Sequence, residues 1–252
     1  MPRLMDTEEV LQQNGPGAFQ FSGVRVEHLG ATEYTLVTIV LDISGSVSDF
    51  AAELLKLVKT VVEACKKSPR AENLLIRYLT FNQDIIEIHG FRLLKDIDVD
   101  NDYKPLKPDG MTSLFDASYD AIGATIDYSA RLVDDYEFDV NGAVYIITDG
   151  MNNRGKMTPK SIKDKISSAL THEKIESLIT VLVGLTEPGS IWAPEVKVHL
   201  ESFQKDAELS QFVDAGDATP GKLAKLANFV SQSVSSQSQS LGTGAPSQNL
   251  TF

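Results

Sequence analysis

The 252-residue chain predicts an α/β fold: a doubly wound, mostly parallel sheet with one antiparallel edge strand and helices on both faces. Two observations carry that expectation. The run Leu36, Val37, Ile39, Val40 and Leu41 is too uniformly apolar for a half-exposed strand, and Ala143 to Ile147 (AVYII) and Leu178 to Gly184 repeat the pattern. Strands buried on both faces belong to parallel sheets. Between these runs, apolar residues recur at three- and four-residue spacing, so strands alternate with amphipathic helices.

Each element follows from local chemistry. Residues 1–18 read as an N-terminal arm, in which Gly15-Pro16-Gly17 breaks any helix begun by Thr7 to Gln13. Phe19 to His28 alternates and predicts an edge strand. A helix from about Ser48 to Lys67 follows the first buried strand, with Phe50, Leu54, Leu57, Val61 and Cys65 on one stripe and Pro69 as its stop. Leu74–Phe81 and Ile85–His89, separated by Asn82, Gln83 and Asp84, read as a hairpin that supplies the antiparallel strand.

A second helix is expected from Leu114 to Leu132, with Leu114, Ala117, Ala121 and Ala124 against the sheet. Thr158-Pro159 opens a third, the threonine as cap and the proline in the first turn, with Ile162, Ile166 and Leu170 on one face. Ala193–Leu209 reads as a helix, Gln211–Ala215 as a short strand, and Thr219-Pro220 as the start of a last helix carrying Leu223, Leu226, Ala227 and Val230. From Ser231 the chain turns to serine and glutamine. Too few apolar groups remain to offset ordering entropy, so residues 233–252 are expected to form a flexible tail beyond a domain spanning 19–232.

Composition narrows the function classes. Thirty-five acidic and 23 basic side chains give a formal net charge of −12, which opposes nonspecific binding to nucleic acid or an anionic membrane. The one cysteine, Cys65, lies on an apolar helix stripe and cannot form a disulfide within the chain, as suits a reducing compartment. No run approaches the ~18 apolar residues of a membrane span. The acidic N-terminal segment does not resemble a secretory leader, so a cytoplasmic location is expected. The tripeptide Asn249-Leu250-Thr251 is then a chance match to a glycosylation acceptor.

The chemistry concentrates at strand ends. Asp42 ends the first buried strand, and Ser44 and Ser46 follow before a helix. Asp109-Gly110-Met111-Thr112-Ser113 places a hydroxyl in a glycine loop, and Ala143–Ile147 ends in Thr148, Asp149 and Gly150. Asp42, Ser44 and Ser46 alone would serve as helix caps. Ligands of open α/β sheets bind beyond the carboxyl ends of strands, and oxygen donors there suit a hard divalent cation.

The succession D-x-S-x-S, G-x-T and an apolar strand ending T-D-G resembles the von Willebrand factor A (VWA) domain family, over roughly residues 34–232. The resemblance implies a metal-ion-dependent adhesion site (MIDAS) formed by Asp42, Ser44, Ser46, Thr112 and Asp149, with Mg²⁺ as its ion and Mn²⁺ or Ca²⁺ as alternatives. It also implies that the first and fourth strands of the parallel sheet lie side by side, bringing Asp42 to Asp149. The expected function is metal-dependent protein binding through a partner's acidic side chain. One recurrent family arrangement makes such a module an adaptor beside a MoxR-type AAA+ ATPase. A structural subunit docked through the same face is the other binding role. Loops at Gly110–Phe115, Met151–Met157 and Glu187–Trp192 are expected to supply specificity, with Met151, Met157 and Trp192 as contact area.

Enzymatic readings find little support. Haloacid-dehalogenase phosphatases carry a second aspartate two residues after the nucleophile, where this chain has Ser44, so no general acid is expected there. No G-x-S-x-G elbow or Walker loop occurs. The alternating Asp96, Asp98, Asp100 and Asp102 lack the glycine and glutamate of an EF-hand and read as a solvated acidic loop. His28, His89, His172 and His199 have no metal-binding spacing and are expected to be structural.

Overall fold

The computed structural model describes residues 5–15, 19–245 and 247–252. The apolar runs become the centre of one eight-stranded sheet, in the order β1-β2-β5-β4-β3-β6-β7-β8. Strand β3 (Glu33–Asp42) pairs in parallel with β4 (Leu74–Phe81) on one side and β6 (Asp139–Thr148) on the other. Strands β7 (Ser177–Thr186) and β8 (Gln211–Asp217) extend the parallel half. The antiparallel strand is β5 (Ile85–Leu93), joined to β4 by the predicted loop 82–84, and β1 (Glu8–Gln12) and β2 (Gln20–Val24) continue the sheet beyond it. This is a VWA-type, Rossmann-like α/β fold.

Alternation along β3 sorts the core into two layers. Val37, Ile39 and Leu41 face a cluster with α1 (Ala51–Cys65) and α6 (Pro220–Thr243), while Val40 faces α3 (Leu114–Tyr136), α4 (Pro159–Thr171) and α5 (Ala193–Asp206). The predicted stripe of α1 is buried throughout, Cys65 included, and burial pushes that thiol up to about 12. A 3₁₀ turn over Gly45–Phe50 takes up the chain before α1 begins. On α4 the capping pair of Thr158 and Ser161 forms, and Ala169 rather than Leu170 is buried.

The N-terminal segment departs from expectation. Thr7–Gln13 does not begin a helix: β1 forms an antiparallel pair with β2. Its polar residues find partners that a composition reading does not see. Glu8 pairs with Arg92, Glu9 with Arg131 at 2.8 Å, and Gln13 donates to the Asp120 carboxylate at 2.7 Å. Of the break proposed at Gly15-Pro16-Gly17, Gly15 takes a positive φ of 125°, while residues 16–17, and the start of the arm at residues 1–4, lie outside the described residues.

The C-terminal segment departs further. Instead of giving way to a flexible tail at 233, α6 continues to Thr243. Val234, Gln237 and Ser238 are fully buried, and most of the polar groups here find partners within the chain, the Gln237 Oε1 excepted. The Tyr145 hydroxyl donates to Ser233 Oγ at 2.7 Å, Arg70 Nε to Ser238 Oγ at 3.1 Å, and Asn141 Nδ2 to the Gln237 carbonyl at 2.9 Å. Beyond the helix, Gln211 Nε2 donates to the Leu250 carbonyl at 3.0 Å, and Phe252 meets Phe229 edge-on at 5.6 Å. Serine and glutamine are poor in apolar surface, but at helical spacing Ser233, Gln237 and Ser238 are buried beside Val230 and Val234 against polar partners on the sheet and on Arg70.

Candidate metal centre

Parallel pairing of β3 with β6, in register from Glu33↔Asp139 to Leu41↔Ile147, sets Asp42 and Asp149 at neighbouring strand ends. The loop after β3 then turns on itself. Ser44 N–H donates to Asp42 Oδ1 at 2.8 Å, the Ser44 and Ser46 hydroxyls lie 3.2 Å apart, and Ser46 Oγ donates to Asp149 Oδ1 at 2.8 Å. Four of the five predicted residues therefore form one continuous hydrogen-bonded chain.

The fifth arrives from the loop before α3. That loop is fixed by backbone bonds from Asp109 N–H to the Ile43 carbonyl (3.0 Å) and from Gly45 N–H to the Gly110 carbonyl (3.3 Å). Gly110 takes a positive φ of 77°, the left-handed region that glycine enters without strain. Thr112 N–H donates to Asn153 Oδ1 at 2.8 Å, and the Asn153 N–H donates back to the Thr112 carbonyl at 3.1 Å. A Cβ on Gly150 would stand 3.4 Å from Thr112 Oγ1 and 4.0 Å from Asp42 Oδ2, so the threonine hydroxyl and the aspartate flank the same point.

Asp42 is 1% and Asp149 8% exposed, which removes both carboxylates from bulk water. Burial raises the Asp42 carboxyl above its ordinary range, despite the hydrogen bonds it receives from Thr148 and Ser44. Burial, followed by the adjacent Asp42 charge, pushes Asp149 up to about 7. Two buried carboxylates that repel each other are stabilised by a shared cation. The surrounding hydroxyls complete an oxygen-only donor set. Among the described residues no group of three or more His, Cys, Asp or Glu is placed to hold a metal ion, so the donors here are two carboxylates and hydroxyls. The residues present fit a hard divalent ion.

Some contributors escaped the sequence reading. Thr148 stands within the recognised T-D-G, but only the sheet shows its hydroxyl donating to Asp42 Oδ2. Asn152 and Asn153 look like ordinary loop residues; in the structure Asn153 holds Thr112, and Asn152 Oδ1 accepts the Phe115 N–H at 3.0 Å. His199 was expected to be merely structural. Its Nε2 accepts the Asn152 N–H at 3.2 Å, and its ring stacks on Phe115 with centroids 6.1 Å apart, forming part of the wall beside the site. A cleft of about 400 Å³ opens there, reaching from Ser46, Thr112 and Asp149 to Trp192.

The acidic run 96–102 is resolved differently. Asp98 caps the short α2 (Val99–Asp102), its Oδ1 accepting from the N–H groups of Asp100 and Asn101 at 3.1 Å each. His89 is buried, bonded to the Tyr103 hydroxyl at 2.9 Å, and burial pushes it down to about 4.

No protein-family model matches the sequence, and no curated protein matches it. Solved structures share the fold. A variant of the PilB minor pilin from Streptococcus sanguinis aligns with a TM-score of 0.59 at 11% identity, over 89% of this chain and 66% of the pilin. Proximal thread matrix protein 1 from the mussel byssus, solved with zinc in its MIDAS motif, aligns at 0.51 and 18% identity, over 92% of this chain and 48% of that protein. The pilus adhesin SpaC from Lactobacillus rhamnosus GG aligns at 0.55 and 9% identity, over 91% of this chain and 33% of the adhesin. The chain thus spans two thirds or less of each neighbour. Among the described residues no helix is long and apolar enough to cross a membrane.

Proposed function

We propose that this chain is a metal-dependent protein-binding module. Asp42, Ser44, Ser46, Thr112 and Asp149 would hold one divalent ion, and a partner would be captured through an acidic side chain. The observation that carries the reading is the meeting of two buried carboxylates with three hydroxyls from separate loops at the ends of adjacent parallel strands. A bound cation supplies positive charge, with a coordination position open to a carboxylate oxygen from outside.

The chain's own groups prepare that position. Ser44 N–H and the Thr148 hydroxyl occupy one oxygen each of Asp42, which fixes the carboxylate's plane. Ser46 does the same for Asp149. Hydroxyl ligands carry no charge, so two carboxylates and three hydroxyls neutralise a divalent ion without overcompensating it, and five ligands leave one octahedral position for an oxygen from outside.

Oxygen-only donors favour Mg²⁺, with Mn²⁺ or Ca²⁺ as alternatives. The VWA resemblance further supports an adaptor working beside a MoxR-type AAA+ ATPase, and the single cysteine suits the cytoplasm as its compartment. The chain has no hydrolytic role in this proposal, because Ser44 stands where a phosphatase would need a second carboxylate. Calorimetry with Mg²⁺ and Mn²⁺ tests the ion: wild type should bind one equivalent and Asp42→Ala none. Equal binding by both would overturn the assignment. Partner capture from extract should fail in EDTA and return with Mg²⁺; capture indifferent to chelator would place recognition on another surface.

A further inference from the structure

We infer that the cleft beside the carboxylate-and-hydroxyl cluster is a side-chain pocket, and that the partner element it selects is a single acidic residue adjoining a bulky apolar one. The inference rests on the binding-module reading above and names the chemistry that this site would recognise. The cleft, about 400 Å³, is continuous with Ser46, Thr112 and Asp149 on one side and bounded by Met151, Trp192 and Val196 on the other. That volume lies within the ~300–1,000 Å³ of ligand pockets, room for a large side chain and its flanking backbone.

Its lining combines polar loop residues with an apolar wall of Met151, Trp192, Ala193 and Val196. Trp192 is 60% exposed and Ile191 beside it 82%; Met111, next to Thr112, is 47% exposed. Of these Trp192 lines the cleft itself, and an exposed tryptophan at a cleft wall is the residue type that interaction hot spots favour. His199 contributes a flat, uncharged surface: stacked on Phe115, with Nε2 already accepting from Asn152, it is oriented as an aromatic wall.

Charge selects against the other class of acidic partner. Among the described residues no lysine or arginine lines the cleft, and Glu187 does. In a chain of net charge −12, a second carboxylate held inside the cleft beside the captured one would meet Glu187 and no cation of the lining. An acid-rich segment is therefore disfavoured, and an apolar neighbour gains burial against Trp192, Met151 and Val196.

A displayed peptide library with a fixed glutamate and three randomised positions on each side, selected on the full chain in Mg²⁺ and in parallel in EDTA, tests this. Mg²⁺-dependent clones should carry Trp, Phe, Tyr, Leu or Met beside the glutamate. As free peptides they should bind Trp192→Ala about tenfold more weakly than wild type. Versions with glycine at the apolar position should bind both proteins equally, and the variant should retain wild-type Mg²⁺ affinity by calorimetry. Mg²⁺-dependent clones with unbiased or acid-rich flanks, or clones insensitive to Trp192→Ala, would overturn the pocket and leave carboxylate capture standing. No Mg²⁺-dependent clone at all would overturn carboxylate capture itself, and this inference with it.

Discussion

The hydroxyl of Thr148 donates to Oδ2 of Asp42 across 2.5 Å, binding the last residue of β6 to the last residue of β3. With Ser44 N–H on Oδ1, both oxygens of Asp42 are oriented before any ligand arrives. The site is thus braced from behind by the sheet itself.

Thr148→Val keeps the side chain's shape and removes the donor. Loss of an outer-shell partner lowers metal affinity about 10–100-fold. Calorimetric Mg²⁺ titration should show that weakening with a melting curve close to wild type.

The proton on Asp149 predicts a pH dependence that a cation should reverse. Its carboxyl is raised from 3.8 to about 7, so between those values the folded chain without metal holds a proton that the unfolded chain has released. This group's contribution to stability is complete below about pH 3.8 and is lost as pH rises through 7. In EDTA, melting temperature should carry a declining component from pH 5 to pH 8 that Asp149→Asn removes. The rise in melting temperature on adding Mg²⁺ should be larger at pH 8 than at pH 5, because the proton competes with the ion.

The packed end of α6 predicts a large truncation effect. A chain ending at Ser231 loses Val234, the Ser233 acceptor of Tyr145 and the Phe252–Phe229 contact. Its thermal unfolding should be strongly destabilised or no longer cooperative. Val234→Ala, a milder probe, should cost about 2 kcal/mol in denaturant unfolding. A truncated chain with the wild-type melting temperature would contradict this packing.

Arg77 offers a test of buried charge. It is 1% exposed, with Nε donating to Glu87 at 2.6 Å and Nη2 to Asp120 at 2.9 Å, while Ser22 and Gln13 of the N-terminal segment bond the same two carboxylates. Arg77→Ala should destabilise by about 3–5 kcal/mol, since it leaves two carboxylates without their counter-ion. Replacing Arg77, Glu87 and Asp120 together by apolar residues should recover much of the loss. Urea titration of the single and triple variants distinguishes the two results.

The five-residue oxygen set follows from the family resemblance, whereas the parallel core and its helices are legible in the chain's own spacing. That information is local. A doubly buried strand must be apolar along its length, an amphipathic helix must repeat its stripe, and D-x-S-x-S followed by a helix is a turn of fixed geometry. What only the tertiary structure decided is which polar groups meet. Thr148 reaches Asp42, Asn153 holds Thr112, and His199 joins the cleft because the β3–β6 pairing and the packing of α5 bring distant segments together. The same reason explains both misread termini. Glu8 in β1 and Gln13 just after it, and Ser233 and Gln237 in α6, look solvent-bound by composition, yet Arg92, Asp120, Tyr145 and Asn141 wait inside to satisfy them or the backbone beside them. Hydrophobic burial is written in one segment's own spacing; a hydrogen bond needs a second partner, and only the folded chain says where that partner stands.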